Sequence, residues 1–256
     1  MPLKLSILVP VYNEAATVEK LLRRLAAVDF PIEREIIAVD DGSADGSREI
    51  LQRLAGEGWI RVLVHPGNQG KGAAILSAAR QADGQVLVIQ DADLELDPHD
   101  LPALLEPILA GDTQVCFGSR FLKPRPQSSA MRLTYWANRI LNGLCNLLNG
   151  IAITDFNTCY KMLTREVLGR LQLSEKGFAM EPEITTKLAR LGVAIVERPI
   201  RYEPRTAHAG KKIRVTDFFR YVRAMIRYRF FWSPTSPSAA ASVPFPAFPT
   251  GVTEPA

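Results

Sequence analysis

The run Val86, Leu87, Val88 and Ile89, followed by Gln90 and by acids at alternate positions, Asp91, Asp93 and Glu95, constrains this chain more than any other stretch. Uninterrupted apolar residues over that length predict a strand buried on both faces, with Gln90 at the edge of the core. The acids then lie at the strand's carboxyl end, the side on which open α/β sheets bind ligands. In extended geometry side chains two apart share one side. Three carboxylates so crowded repel unless a cation sits among them. A hard divalent ion, Mg²⁺ or Mn²⁺, completed by water and phosphate oxygens, suits such a set. The plainer alternative is a solvated turn or a helix cap. An EF-hand is excluded: counting from Asp91, its Gly would fall on Leu96 and its closing Glu on Pro102.

The 256 residues suit one large α/β domain, and 47% hydrophobic content is ample for a core. The net charge of +4 is mild, but acids gather near the expected metal while the last helical segment is basic. Cys116, Cys145 and Cys159 form no Cys-x-x-Cys pair and read as reduced, packed thiols. His65, His99 and His208 are isolated in sequence, which leaves no zinc signature. The chain begins on a strand with no signal-peptide apolar region. Its longest candidate span, Leu133 to Ile153, is interrupted by Asn138, Arg139, Asn142, Asn146 and Asn149. The expectation is a cytoplasmic protein, soluble or peripheral on the cytoplasmic face of the membrane, with no nucleic-acid partner.

In order, Leu5 to Tyr12 predicts a first strand. Val18, Leu21, Leu22 and Leu25 share a helical face, and Glu35 to Val39 predicts a second strand ending at Asp40, Asp41, Gly42 and Ser43. A helix around Ile50 to Leu54, a strand Ile60 to Val64 and an Ala-rich helix ending at Ala82 follow. After the central strand come a helix near Leu101 to Leu109 and a strand Gln114 to Gly118. Such alternation predicts a mostly parallel, Rossmann-like sheet with flanking helices. The glycines fit no nucleotide fingerprint. Gly70 and Gly72 would need another small residue where Ile75 stands, and Lys71 is followed by Gly72, which breaks the Walker pattern. A flexible loop and a phosphate-facing loop both remain open for Gly70 to Gly72.

Three strand-end motifs taken together, Pro10-Val-Tyr12-Asn13-Glu14, Asp40-Asp41-Gly42-Ser43 and Asp91-Ala92-Asp93, resemble family 2 glycosyltransferases with the GT-A fold. Gly118-Ser119-Arg120, the stretch Thr154 to Lys161, Glu181-Pro182-Glu183, and Arg205 with Gly210-Lys211-Lys212 narrow the resemblance to the branch that moves a hexose onto a polyprenyl phosphate, the dolichol-phosphate mannose synthase type. It covers roughly residues 4 to 230.

The resemblance implies that Pro10, Tyr12, Glu14, Val39 and Asp41 line a base and ribose pocket, that Asp91 and Ala92 touch the nucleotide, and that Lys71 belongs to the same donor site. Strand-end turns, with Asp41 as a helix cap, are the plainer reading. Asp93 and Glu95 would hold Mg²⁺ or Mn²⁺ against the diphosphate of GDP-mannose or UDP-glucose. Mannose synthases commonly have Gln at the position of Glu95, so the extra charge tightens metal binding and leaves the donor open. Asp155 falls where inverting members keep an acid near the acceptor, and a cap or turn is its alternative. A phosphate acceptor is ionised at neutral pH and needs no strong base. Arg120, Arg205, Lys211 and Lys212 would instead neutralise the two anions. Glu181 and Glu183 also suit a helix start.

Residues 214 to 232 place Val215, Phe218, Phe219, Val222, Met225 and Ile226 on one helical face, and Arg220, Arg223 and Arg227 on the other. A core-docked helix and an interfacial helix on anionic lipid both fit. Ser233 to Ala256, with six prolines and Glu254 as its one charge, predicts a disordered tail. The expected organisation is a GT-A domain over 1–212, the basic helix over 213–232 and the tail over 233–256. The expected partners are a nucleotide sugar, a polyprenyl phosphate, the membrane surface, and a second copy or a membrane protein. A soluble or glycan acceptor is the alternative within enzymes. A non-catalytic nucleotide- or partner-binding module is the alternative outside them, and the intact Asp93 and Glu95 argue against it.

Overall fold

Along Val86–Ile89 the side chains alternate between two cores. Val86 and Val88 pack on one side of the sheet, and Leu87 and Ile89 on the other. This is why an unbroken apolar run is needed there. The computed structural model describes residues 3–123, 132–204 and 215–234. Its strands are β1 (Lys4–Val11), β2 (Glu33–Asp40), β3 (Arg61–Val64), β4 (Val86–Ile89), β5 (Val115–Ser119), β6 (Lys161–Thr164) and β7 (Val196–Pro199). Its helices are α1 (Val18–Ala26), α2 (Ser47–Gly56), α3 (Lys71–Gln81), α4 (Leu101–Leu109), α5 (Arg132–Asn149), α6 (Arg165–Leu171), α7 (Met180–Arg190) and α8 (Val215–Phe230).

The seven strands form one mixed sheet in the order β3-β2-β1-β4-β6-β5-β7. The parallel expectation holds for β1 with β2 and β4, for β2 with β3, and for β5 with β7. The exception in a mostly parallel sheet is β6, which lies between β4 and β5 and runs antiparallel to both. That reversal has a consequence for function. The segment leading into β6, residues 154–160, is delivered to the same edge as the carboxyl ends of β4 and β5. Leu21, Leu22 and Leu25 of α1 are fully buried in the first core, as their spacing predicts. Helices α3, α6 and α7 supply much of the second.

α8 packs on α5 and α7, so part of the apolar face that the sequence groups together is turned to the core. Met225 is fully buried and Tyr221, Ala224 and Tyr228 nearly so, while Phe218 and Val222 lean on the second core. The two tyrosines turn inward because they find partners there. The Tyr228 hydroxyl lies 2.8 Å from Ser174 Oγ and 2.9 Å from Glu175 Oε1, and Tyr221 meets Phe156 edge-on at 6.2 Å. Phe219 and Ile226 remain outward among Arg220, Arg223 and Arg227. Among the described residues no helix is long and apolar enough to cross a membrane. Residues 235–256 of the expected tail lie outside the described residues.

Candidate active site

The loops that follow β1 and β2 are laced together by hydrogen bonds. Asn13 N donates to Ser43 Oγ (3.0 Å), Ala44 N to Asn13 Oδ1 (2.9 Å), Glu14 N to Ser47 Oγ (2.8 Å) and Ala15 N to Asp45 Oδ2 (2.9 Å). Asn13 sits at φ 55°, a conformation that Asn tolerates better than most residues. The structure brings Pro10, Tyr12 and Glu14 to this edge, with Tyr12 exposed. Val39 is corrected. It is fully buried in the second core with Leu8, Ile37 and Leu63, so its side chain cannot line a pocket.

Asp41 is also turned inward. His65 Nδ1 is 2.7 Å from Asp41 Oδ1, Gln69 N donates to the same oxygen (2.9 Å), and Gly70 N donates to Oδ2 (2.8 Å). His65 Nε2 in turn lies 2.9 Å from Ser77 Oγ. The carboxylate thus fixes the β3–α3 loop. Its neighbour Asp40 accepts from Ser43 N (3.1 Å) and Arg48 Nε (2.9 Å). The glycines beside Lys71 are explained by close packing and not by a phosphate cradle. A Cβ on Gly70 would stand 2.4 Å from the Lys176 carbonyl oxygen, and one on Gly72 2.2 Å from that of Glu175. Ala73 N donates to the Lys176 carbonyl at 3.1 Å, so this helix start already has a protein partner.

The acids after β4 do not behave as one set. The chain bends through residues 92–95, which breaks the extended spacing. Lys71 Nζ draws Asp91 aside at 2.8 Å, while Asp93 Oδ1 accepts from Glu95 N at 3.0 Å. Ala92 is buried beneath them. Lys71 also reaches Glu181 Oε1 at 3.3 Å, and the other oxygen of Glu181 pairs with Lys161, which is fully buried. Burial opposes the Lys71 charge, but Asp91 and Glu181 more than offset it and hold its pKa well above the ordinary value. The result is an alternating chain of Asp91, Lys71, Glu181 and Lys161 with no net charge. Glu183 pairs likewise with Lys187 (2.7 Å) and accepts from Ser174 N and Glu175 N (both 2.9 Å). Glu181 and Glu183 are therefore buried ion-pair partners, and their place in the first turn of α7 is secondary.

At the end of β5, Arg120 and Asp155 form a bidentate pair. Arg120 Nε donates to Asp155 Oδ2 (2.7 Å) and Arg120 Nη2 to Oδ1 (2.8 Å), while Arg120 N also donates to Oδ2 (3.1 Å). Asp155 is 1% exposed, so it points at Arg120 and away from solvent. Burial works against the Arg120 charge, and Asp155 beside it raises its pKa above the ordinary value. The guanidinium lies 5.3 Å from the Tyr202 ring. Burial raises the Tyr202 pKa, as does Glu95, to which its side chain is hydrogen-bonded. Tyr202 thus joins the cation after β5 to the acids after β4.

Asparagines hold the Asp155 loop. Asn142 Nδ2 and Asn146 Nδ2 donate to the Ile153 carbonyl (2.7 and 2.8 Å), Phe156 N donates to Asn142 Oδ1 (2.9 Å), and Asn157 Nδ2 donates to Asn138 Oδ1 (3.0 Å). Glu197 accepts from Thr154 N (2.8 Å) and Asp155 N (3.1 Å). The sequence assigns none of these roles, nor those of His65 and Tyr202. The available signal was Asn at positions 138, 142 and 146, one per helical turn. Arg205, Lys211 and Lys212 lie outside the described residues. Burial pushes the Cys116 and Cys145 thiols up to about 12, which fits inert packed cysteines.

Among the described residues, no three or more His, Cys, Asp or Glu converge so as to hold a metal by themselves. A donor set of two carboxylates, Asp93 and Glu95, still suits Mg²⁺, which keeps several waters and takes substrate phosphate oxygens besides one or two protein carboxylates.

This arrangement can be set beside known proteins. The undecaprenyl-phosphate 4-deoxy-4-formamido-L-arabinose transferase of Pseudomonas fluorescens (strain SBW25) is 32% identical over 189 residues, covering 72% of this chain and 54% of its own. The dolichol-phosphate mannosyltransferase of Pyrococcus furiosus is 29% identical over 227 residues, covering 88% and 63%. The chain spans about half the length of the first of these and under two thirds of the second. Glucosyl-3-phosphoglycerate synthase from Mycobacterium tuberculosis, solved with Mn²⁺, UDP and phosphoglyceric acid, superposes with a TM-score of 0.68 at 19% identity, over 90% of this chain and 80% of that one. That likeness is one of fold, and it agrees with the GT-A expectation. Residues 6–172 match the glycosyl transferase family 2 domain, and the chain belongs to that family.

Proposed function

We propose that the protein catalyses metal-dependent, inverting transfer of a hexose from a nucleotide sugar, GDP-mannose or UDP-glucose, to a polyprenyl phosphate at the cytoplasmic face of a membrane. One observation carries the reading: Arg120, locked by Asp155, shares Tyr202 with Glu95 of the acidic loop. A cation and a carboxylate pair suited to a divalent ion thus stand side by side. A reaction between two phosphorylated substrates needs that combination, because both anions must be held together. The names of the curated relatives, which specify undecaprenyl phosphate and dolichol phosphate, support the same acceptor class.

In this reading Asp93 and Glu95 hold Mg²⁺ or Mn²⁺, and when bound the ion supplies charge neutralisation for the departing nucleoside diphosphate. Tyr12, with Pro10 and Glu14 beside it, offers a face for the base. Asp41 acts by fixing the loop that presents Lys71, and Lys71 holds Asp91 and Ala92 in place at the nucleotide. The acceptor's phosphate oxygen attacks the anomeric carbon as the bond to the diphosphate breaks. Because that oxygen is already ionised, Asp155 has no proton to remove, and its task is to orient Arg120. Arg205, Lys211 and Lys212 would add positive charge over the same anions. The test is transfer of labelled hexose from each donor to a short-chain polyprenyl phosphate, with and without Mg²⁺ or Mn²⁺. Transfer unaffected by chelator would remove the metal, and transfer to a soluble acceptor alone would remove the lipid.

A further inference from the structure

His65, Asp41 and Ser77 form a polar trio inside the protein. They are 1%, 2% and 8% exposed, and Ser77 stands on α3 between Leu76 and Ala78, both of which belong to the second core. Serine, histidine and aspartate hydrogen-bonded in that order are the parts of a hydrolytic triad. Here the hydroxyl is enclosed on an apolar helix, where no substrate carbonyl could reach it, so the trio does no nucleophilic chemistry. Its burial still needs a reason, because apolar side chains of like volume could fill the same space without desolvating a carboxylate.

The chemistry of the three groups fixes the ring. A carboxylate only accepts, so Nδ1 of His65 carries the hydrogen that Asp41 Oδ1 receives at 2.7 Å. In the neutral ring Nε2 is then an acceptor, and the Ser77 hydroxyl donates to it at 2.9 Å. The ring therefore has one tautomer and one orientation, braced by α3 against Asp41. The backbone of the same residue is tied down as well, since His65 N donates to the Asp40 carbonyl at 2.9 Å.

What Asp41 holds in turn lies at the candidate site. It accepts from Gln69 N and Gly70 N, the two amides before Lys71, and Lys71 grips Asp91 at 2.8 Å. The same loop presses on the turn after β2: a Cβ on Gly42 would stand 2.6 Å from the Gly67 backbone and 2.7 Å from Asn68 N. We propose that His65, braced by Ser77, is a positioning residue for the donor nucleotide. It sets the Asp41 carboxylate, and Asp41 sets the loop 67–70 between the turn after β2 and Lys71. The proposal rests on the reading that Asp41, Lys71 and Asp91 belong to the donor site. It adds that the affinity of this site depends on one hydrogen supplied by a ring enclosed behind it.

The experiment is titration calorimetry of the full chain with UDP and with GDP, each with Mg²⁺ and without acceptor, so that the result does not depend on which acceptor the protein uses. Asparagine places an amide nitrogen close to where histidine has Nδ1, and glutamine places one close to Nε2. His65→Asn can therefore still donate to Asp41, whereas His65→Gln can serve Ser77 but not Asp41. For the nucleotide that wild type binds more tightly, His65→Gln is expected to weaken binding roughly tenfold or more, the scale of a hydrogen bond to a charged group, and His65→Asn by no more than about threefold. A purely structural ring would instead make the two variants lose affinity alike, in step with their thermal melts. Ser77→Ala removes a single hydroxyl and keeps the test decisive if the glutamine variant does not fold. It should weaken binding by about threefold and quicken amide hydrogen exchange at Gln69 and Gly70. Equal losses in the two His65 variants, full affinity in His65→Gln, or wild-type affinity and exchange in Ser77→Ala would overturn the proposal and leave the donor-site reading intact. A wild type that binds neither nucleotide would defeat that reading, and the proposal with it.

Discussion

The loops after β1 and β2 and those around β5 and β6 stabilise their carboxylates in different ways. On the first side Asp41 and Asp45 accept from backbone amides, a histidine ring and a serine hydroxyl, and only Asp40 among the three takes an arginine, Arg48. On the second side Asp155 is matched by the half-buried Arg120, and Glu181 and Glu183 of the adjoining α7 by the buried Lys161 and Lys187. Neutral donors orient a carboxylate without cancelling its charge, whereas an ion pair removes the charge from the site's field. The acidic loop after β4 sits where the two regimes meet. Lys71 neutralises Asp91, and Asp93 and Glu95 stay with backbone and tyrosine partners. Asp155, meanwhile, keeps Arg120 rigid at the end of β5.

The sharpest way to break the comparison is to remove one partner of a buried pair. Glu181→Ala strands Lys161 at zero exposure and releases Lys71, and stability should fall by about 3–5 kcal/mol. Glu181→Leu combined with Lys161→Met should recover much of that loss, because no buried charge then remains. Denaturant melts of the three proteins decide the matter. If the single variant unfolds at the wild-type midpoint, the pair is not structural.

The next effect falls on turnover. Asp93→Ala should cost on the order of 100- to 1,000-fold in hexose transfer, the scale seen when one electrostatic contact to a developing charge is lost. Its melting temperature should hold, because the side chain lies beyond the buried part of β4 and its removal relieves repulsion among neighbouring acids. Steady-state rates at saturating metal, with melts in parallel, check both halves. Undiminished transfer by the variant would return Asp93 to the role of a loop residue.

The same contrast explains what could be read from the sequence. β1, β2 and β4 announce themselves because strands buried on both faces need apolar residues at every position, and their terminal motifs follow at once. β6 escapes because it is four residues long and opens on Lys161, whose charge suggests exposure until Glu181, distant in sequence, is placed against it. α7 is concealed in the same manner. Glu181, Glu183, Thr185, Thr186 and Lys187 are all buried, so its polarity points outward while its packing points inward. His65 looks isolated along the chain yet lies between Asp41 and Ser77 in space. The resemblance puts Val39 at the base pocket, but the two-residue alternation of β2 sends its side chain into the core. Motifs held by local hydrogen bonds are legible, and buried charges paired across long sequence distances are not.

A smaller effect should come from the asparagines of α5. Asn142→Ala leaves Phe156 N without its acceptor, while Asn146 still serves the Ile153 carbonyl. A buried donor so orphaned costs about 1–3 kcal/mol. Because the loop it frees carries Asp155, turnover should fall with little change in donor KM. A parallel loss in donor KM would place the loop at the nucleotide instead of the acceptor.

The smallest effect is the pH response of the neutral-donor side, and its sign follows from Asp45. Partial burial raises the pKa of this carboxyl, but the Ser47 hydroxyl and the amides of Ala15 and Ser47 outweigh it and hold the pKa below the ordinary value. A carboxyl depressed in the folded state contributes stability that is fully present above its unfolded pKa, about 3.9, and is lost as pH falls through the folded value. Asp45→Asn keeps one acceptor oxygen and removes the titration. At neutral pH the variant should be slightly less stable than wild type, and the gap should close as the solution is acidified below about pH 4. Paired urea melts at neutral and acid pH measure the gap. A gap that stays constant would mean that the lacing of the first two loops depends on the shape of Asp45 and owes nothing to its charge.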